Sequence, residues 1–80
     1  MEKGKILLTG ATGFLGSHLL RELIEKTAYE VVVLKRSFSK TFRIDKFLND
    51  NRVKFYNIDE MDLKKIFEDN NIETILHCAT

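Results

Sequence analysis

Thr9-Gly10-Ala11-Thr12-Gly13-Phe14-Leu15-Gly16, preceded by the apolar run Ile6-Leu7-Leu8, is the stretch that decides how this chain folds. Three glycines at this spacing, between an apolar run and a segment of helical periodicity, predict a strand, a tight turn and a helix entered through its first turn. Gly10 suits the turn, because a residue without Cβ reaches backbone angles closed to the others. A side chain at Gly13 would stand in the way of a phosphate approaching the main chain. Gly16 lets the helix pack closely on the strand. The first helical turn carries N–H groups without intrahelical partners and the positive end of the helix dipole, so the loop reads as an anion site with Thr12, Phe14 and Leu15 around it.

Working outward, strands and helices alternate. Lys5 to Thr9 is a short buried strand, and Leu15, Leu19, Leu20, Leu23 and Ile24 give a helix over about 14–27 with one apolar face. Glu30 to Leu34, with three consecutive valines, predicts a strand buried on both faces, as in parallel sheets. Ile44, Phe47 and Leu48 mark a short second helix, Val53 to Ile58 a third strand, Leu63, Ile66 and Phe67 a third helix, and Thr74 to Cys78 a fourth strand. This order predicts an α/β fold with a parallel sheet and right-handed crossovers, the first half of a Rossmann-type sheet with strand order 3-2-1-4.

The whole chain, residues 1–80, reads as one unit: it has no proline, no linker-like tract and no internal repeat. Thirteen basic and 12 acidic residues give a net charge of +1, which points to neither nucleic acid nor a membrane surface as partner. Cys78 is the single cysteine, so neither an internal disulfide nor a thiolate metal cluster can form, and a cytoplasmic protein is the simplest reading. His18 and His77 pair with no acidic residue at metal-ligand spacing, and no metal site is expected. His77 and Cys78 are neighbours on a strand and point to opposite faces, so they form no nucleophile–base pair.

The end of the second strand carries the next signal. An acidic residue there would hold a ribose 2′-hydroxyl, but this chain has Lys35, Arg36 and Ser37, with Ser39 and Lys40 following. Two cations and a hydroxyl suit a 2′-phosphate, and the planar guanidinium of Arg36 suits it best. NADP is therefore expected in preference to NAD.

The chain resembles the N-terminal part of the extended short-chain dehydrogenase/reductase superfamily, which includes sugar-nucleotide epimerases, dehydratases and reductases. Thr9, Gly10, Gly13 and Gly16 match the family's Thr-Gly-x-x-Gly-x-x-Gly pattern, and Gly13 to Leu19 is typical of those enzymes. Ile75-Leu76-His77-Cys78-Ala79-Thr80 follows the fourth-strand pattern aliphatic-x-His-x-Ala. The resemblance implies that Ala79 lies along the cofactor and that Asn57-Ile58 or Asp59 contacts adenine. Asp59 has an equal alternative as the cap of the helix carrying Leu63. It also implies a nucleotide-sugar substrate for a longer parent enzyme, whose catalytic Tyr-x-x-x-Lys element lies downstream. Tyr29 is followed four residues on by Val33 and Tyr56 by Glu60, so no residue here carries over as catalytic. The alternatives are a non-catalytic NADP-sensing module and a half-fold that binds no dinucleotide. A sheet ending on the fourth strand would leave an apolar edge open to self-association.

Overall fold

The computed structural model describes residues 4–37 and 40–78. Strands β1 (Lys5–Thr9), β2 (Val31–Lys35), β3 (Val53–Asn57) and β4 (Ile72–His77) form one sheet in the order β3-β2-β1-β4. Every pairing is parallel: Ile6 lies opposite Val31, Val31 opposite Val53, and Thr9 opposite His77. Helix α1 (Phe14–Lys26) links β1 to β2, and α2 (Leu63–Asp69) links β3 to β4.

Period-two alternation sends the residues of β1 and β2 to two separate cores. Leu8, Val31 and Val33 join Ala11, Leu20, Ile44, Phe47 and Val53 on the α1 face, with Leu19, Leu23, Ile24, Phe55, Leu76 and Cys78 packed around them. Leu7, Val32 and Leu34 join Ile66 on the α2 face, flanked by Tyr56, Met61 and Ile72. This split follows from topology. With right-handed crossovers, stepping outward from β1 to β3 puts the connections on one face, and the return from β3 to β4 puts α2 on the other. Both faces of β2 are therefore covered, and its run of valines has no polar alternation to show.

Two expected elements differ. The segment around Ile44, Phe47 and Leu48 makes one 3-10 turn, Asp45–Phe47, in place of a helix. Ile44 and Phe47, three residues apart, are both buried, and one 3-10 turn suffices to bring residues i and i+3 to the same side. Leu48 stays exposed, so a longer helix would bury nothing more. Strand β4 starts at Ile72, ahead of the expected Thr74, because Ile72 pairs with Lys5 and packs in the α2-face core. The register slips between Lys5 and Ile6, a local irregularity that interrupts the alternation.

The two helices begin differently. Asp62 caps α2, its carboxylate accepting from the N–H of Lys64 at 3.0 Å. Asp59 does not fill that role, since it lies three residues too early and is committed elsewhere. At α1 the N-cap is Gly13, which has no side chain to offer, and the first turn holds no acidic residue. Its far end is secured by Thr27, whose N–H donates to the Leu23 carbonyl at 3.1 Å, and by the Lys26–Glu22 ion pair at 2.8 Å.

Candidate functional site

All four strands end on the same side, and the glycine loop leaves β1 there. Gly10 has φ 76°, in the left-handed region that favours glycine, and its carbonyl accepts from the Gly13 N–H at 3.1 Å, closing the turn. A Cβ on Gly16 would stand 2.0 Å from the Gly10 carbonyl oxygen and 2.9 Å from Ala11 Cα, so the helix can start this close to the strand only with glycine there. At Gly13 a Cβ would meet nothing nearer than the Gly10 oxygen at 3.5 Å. The loop thus keeps an open flank beside an uncapped helix start, a geometry that suits an anion.

Beside the loop lies a cleft of about 330 Å³, lined by Thr9, Gly10, Thr12, Leu34, Lys35, Arg36, Ile58 and His77. It brings together Gly10 and Thr12 from the loop, Lys35 and Arg36 from the end of β2, and Ile58 from the end of β3. Phe14 and Leu15 are strongly exposed at the start of α1, and Phe14 faces a second, smaller cleft. Ala79, Thr80 and Ser39 lie outside the described residues.

Hydrogen bonds redistribute the polar groups at the strand ends. Lys35 Nζ donates to Asn57 Oδ1 at 2.7 Å, and Asn57 Nδ2 donates in turn to Glu60 at 3.0 Å. Ser37 gives both its N–H (2.8 Å) and its hydroxyl (2.6 Å) to the Asp59 carboxylate. These two bonds hold the Asp59 carboxyl below its ordinary range, the Ser37 hydroxyl contributing most. The residues expected at the ribose and those expected at the adenine therefore form one linked rim, with Lys35 on Asn57 and Ser37 on Asp59.

Two residues that the family's patterns include, but that the sequence did not assign to the site, also line the cleft. Thr9 and His77 close the floor of the cleft, Thr9 Oγ1 lying 2.5 Å from His77 Nδ1, while the Cys78 N–H donates to the Thr9 carbonyl at 3.0 Å. Once β1 and β4 are taken as neighbours, their last residues must face each other, so the strand order held the signal. Cys78 packs against the α1-face core. Among the described residues no group of three His, Cys, Asp or Glu is placed to hold a metal ion. None of the helices there is long and apolar enough to cross a membrane.

A parallel 3-2-1-4 sheet, with a positive-φ glycine turn and a cleft at its carboxyl edge, defines the N-terminal portion of a Rossmann-type fold. Residues 6–80 match the family described as NAD dependent epimerase/dehydratase, and the chain belongs to that family. It is 36% identical over 81 residues to a UDP-glucose 4-epimerase of Neisseria meningitidis serogroup B, covering 94% of this chain and 24% of the relative. It is 40% identical over 77 residues to a CDP-abequose synthase of Salmonella muenchen, covering 95% and 24%. Among solved structures, a Bacillus cereus UDP-glucuronic acid 4-epimerase in complex with NAD superposes with TM-score 0.73 at 34% identity, over 92% of this chain and 26% of the other. A dTDP-glucose 4,6-dehydratase of Bacillus anthracis, at 16% identity, shares the fold with TM-score 0.84 over 98% and 27%. The chain spans about a quarter of the length of these relatives.

Proposed function

We propose that this chain binds the adenosine, ribose and pyrophosphate half of a nicotinamide dinucleotide, NADP in preference to NAD, on behalf of an enzyme acting on a nucleotide-linked sugar. The observation that carries the reading is the loop geometry: Gly10 at φ 76° and the near-contact of Gly16 with the Gly10 carbonyl hold an uncapped helix start beside the cleft. The residues fit the group. Gly10, Thr12, Gly13, Phe14, Leu15 and Gly16 would form the pyrophosphate cradle, with the first N–H groups of α1 meeting the phosphate charge. Lys35, Arg36 and Ser37 would surround the adenosine ribose and its 2′-phosphate. Asn57, Ile58 and Asp59 would meet the adenine edge, and Ala79 would run along the cofactor.

The nicotinamide, when bound, supplies a hydride acceptor or donor. This chain's own part is to bind, orient and exclude water. Its tyrosines do not offer the proton-transfer group: the Tyr56 hydroxyl accepts from Asn70 Nδ2 at 3.1 Å within the packed α2 face, and neither Tyr56 nor Tyr29 has a lysine four residues on. Epimerase, dehydratase or reductase chemistry on the sugar therefore belongs to residues beyond these eighty. A cytoplasmic location and self-association through the open edge of β4 are part of the same reading.

Calorimetric titration with NADPH and NADH tests it. Micromolar binding with NADPH the tighter ligand is the expected result. Tighter NADH binding would overturn the preference, and binding of neither would overturn the site.

A further inference from the structure

Phe14, Ser17, His18 and Arg21 recur at helical spacing and form one stripe along α1. It is a different stripe from the one through Leu20 and Leu23, which packs into the α1-face core. Alone it would be a solvated helix face. The loop after β2 changes that, because it brings Arg43 against the stripe and forms a cleft of about 250 Å³ lined by Phe14, Ser17, His18, Arg21 and Arg43. None of these residues lines the main cleft.

Two guanidiniums thus border one small volume, and no carboxylate of the described residues lines it with them. Arg21 Nη2 lies 3.0 Å from His18 Nδ1, and Arg43 Nη1 donates to the Thr12 carbonyl at 3.5 Å. The Arg43 guanidinium carbon lies 4.5 Å from the centre of the Phe42 ring. These contacts engage one terminal nitrogen of each planar fork, whose five N–H groups outnumber them. Glu22, on the same helix, is bonded to Lys26 at 2.8 Å, and that bond holds its carboxyl below the ordinary range. The Ser17 hydroxyl donates to the Phe14 carbonyl at 2.9 Å, so the arginines carry the charge of the cleft. The Phe14 ring stands beside them, strongly exposed.

We propose that this cleft is a second anion site, which takes a phosphomonoester. Arg21 from the helix and Arg43 from the loop clamp the phosphate, since a guanidinium fork matches phosphate oxygens bidentately. The Phe14 ring covers the organic side of the ester, while its backbone N–H stays with the glycine loop. His18 positions the Arg21 head group. The assignment goes beyond the dinucleotide reading and stands or falls separately from it.

The experiment is titration of the chain with inorganic phosphate and with phenyl phosphate, followed residue by residue through the backbone amide resonances. Phenyl phosphate should shift the amides of Ser17, His18, Arg21 and Arg43 with a dissociation constant below about 1 mM. Inorganic phosphate should bind there at least about threefold more weakly, having no ring to set against Phe14. Gly10 and Gly13 report the glycine loop separately, and Gly13→Val should remove any response there while leaving that of the cleft. Arg21→Ala and Arg43→Ala should each weaken binding about tenfold, and lysine at either position should recover part of the loss. Lys46→Ala removes an exposed cation outside the cleft and should change binding less than about twofold. No response in the cleft, whether or not the glycine loop responds, would overturn the second site. Equal weakening by Lys46→Ala would reduce it to general attraction and likewise overturn it. Inorganic phosphate binding as tightly as phenyl phosphate would overturn the phosphomonoester assignment.

Discussion

Ser37 and Asp59 are joined by two hydrogen bonds, 2.8 Å from the backbone N–H and 2.6 Å from the hydroxyl, which tie the residue after β2 to the residue after β3. The pair directly follows Arg36 and Ile58, which line the cleft, and under the proposed function its carboxylate would stand near the ribose end of the dinucleotide. Replacing that carboxylate by an amide keeps the size and removes the charge. Asp59→Asn should therefore raise the ratio of NADPH to NADH affinity by about threefold to tenfold. Paired titrations with the two nucleotides read the change, and an unaltered ratio would mean that Asp59 faces away from the 2′-phosphate.

The same pair sets an acid sensitivity. The Asp59 carboxyl is held low by the Ser37 bonds, so it binds fewer protons folded than unfolded. Its contribution to stability is present above the unfolded value and is lost as the pH falls through the lowered folded value. Thermal unfolding followed from neutral to acid pH should show a decline in midpoint that is shallower in Asp59→Asn. Identical slopes in the two proteins would place the acid sensitivity in other groups.

The glycines of the loop should separate folding from binding. Gly16→Ala forces a Cβ to 2.0 Å from a backbone oxygen, and neither the strand nor the helix can give way without moving the other. A loss of about 3 kcal/mol or more is expected, enough to unfold a domain of this size. Gly13 has φ −81° and open space in the Cβ direction, so Gly13→Val should fold, with a cost of about 1 kcal/mol for a poor N-cap residue. It should nevertheless weaken dinucleotide binding more than about tenfold, because the valine would occupy the phosphate's approach. Circular dichroism and titration on the two variants give the two readouts, and a Gly13→Val protein that binds normally would remove the cradle.

Much of this was legible in the sequence, and the reasons are local. The glycine loop announces itself because each glycine answers a different steric demand, and the three valines of β2 because burial on both faces removes alternation. The parallel sheet followed from the alternation of strands and helices, and the strand order from the Rossmann-type fold to which the glycine loop points. What escaped depends on contacts distant in sequence. Nothing near Ser37 reveals that Asp59, 22 residues away, will bond to it, and nothing in the polar stretch around Arg43 reveals its reach to Thr12. The helix expected at Ile44-Phe47-Leu48 failed because apolar spacing records which residues need burial and leaves the number of turns undetermined. Of the two alternatives open for Asp59, the cap of α2 falls away because Asp62, the same residue type three positions on, takes that role while Asp59 bonds to Ser37.

Asn70 is the one buried polar residue of the described core, and it ties three elements together. Its Oδ1 accepts from Lys5 Nζ at 3.1 Å, while its Nδ2 donates to the Ile66 carbonyl at 2.9 Å and the Tyr56 hydroxyl at 3.1 Å. Asn70→Ala would strand these partners at the end of α2, at a cost of about 2 kcal/mol. For a domain this small that corresponds to a fall in melting temperature of roughly 10 °C. A fall under a few degrees would show that water replaces the side chain.

The open edge of β4 yields the last prediction. Within the described sheet β4 has β1 on one side only, and Ile75 at its centre is 56% exposed. An edge that is neither bulged nor proline-broken at its middle invites another strand. If a second copy pairs antiparallel about a two-fold axis through Ile75, the register sets Ile75 against itself and Thr74 against Leu76, clear of the irregularity near Glu73. The chain should therefore sediment as a concentration-dependent monomer–dimer mixture. Ile75→Lys, which sets two like charges at the axis, should return it to monomer with unchanged secondary structure. A monomer at every concentration in the unaltered chain would show that the edge is protected by some other means.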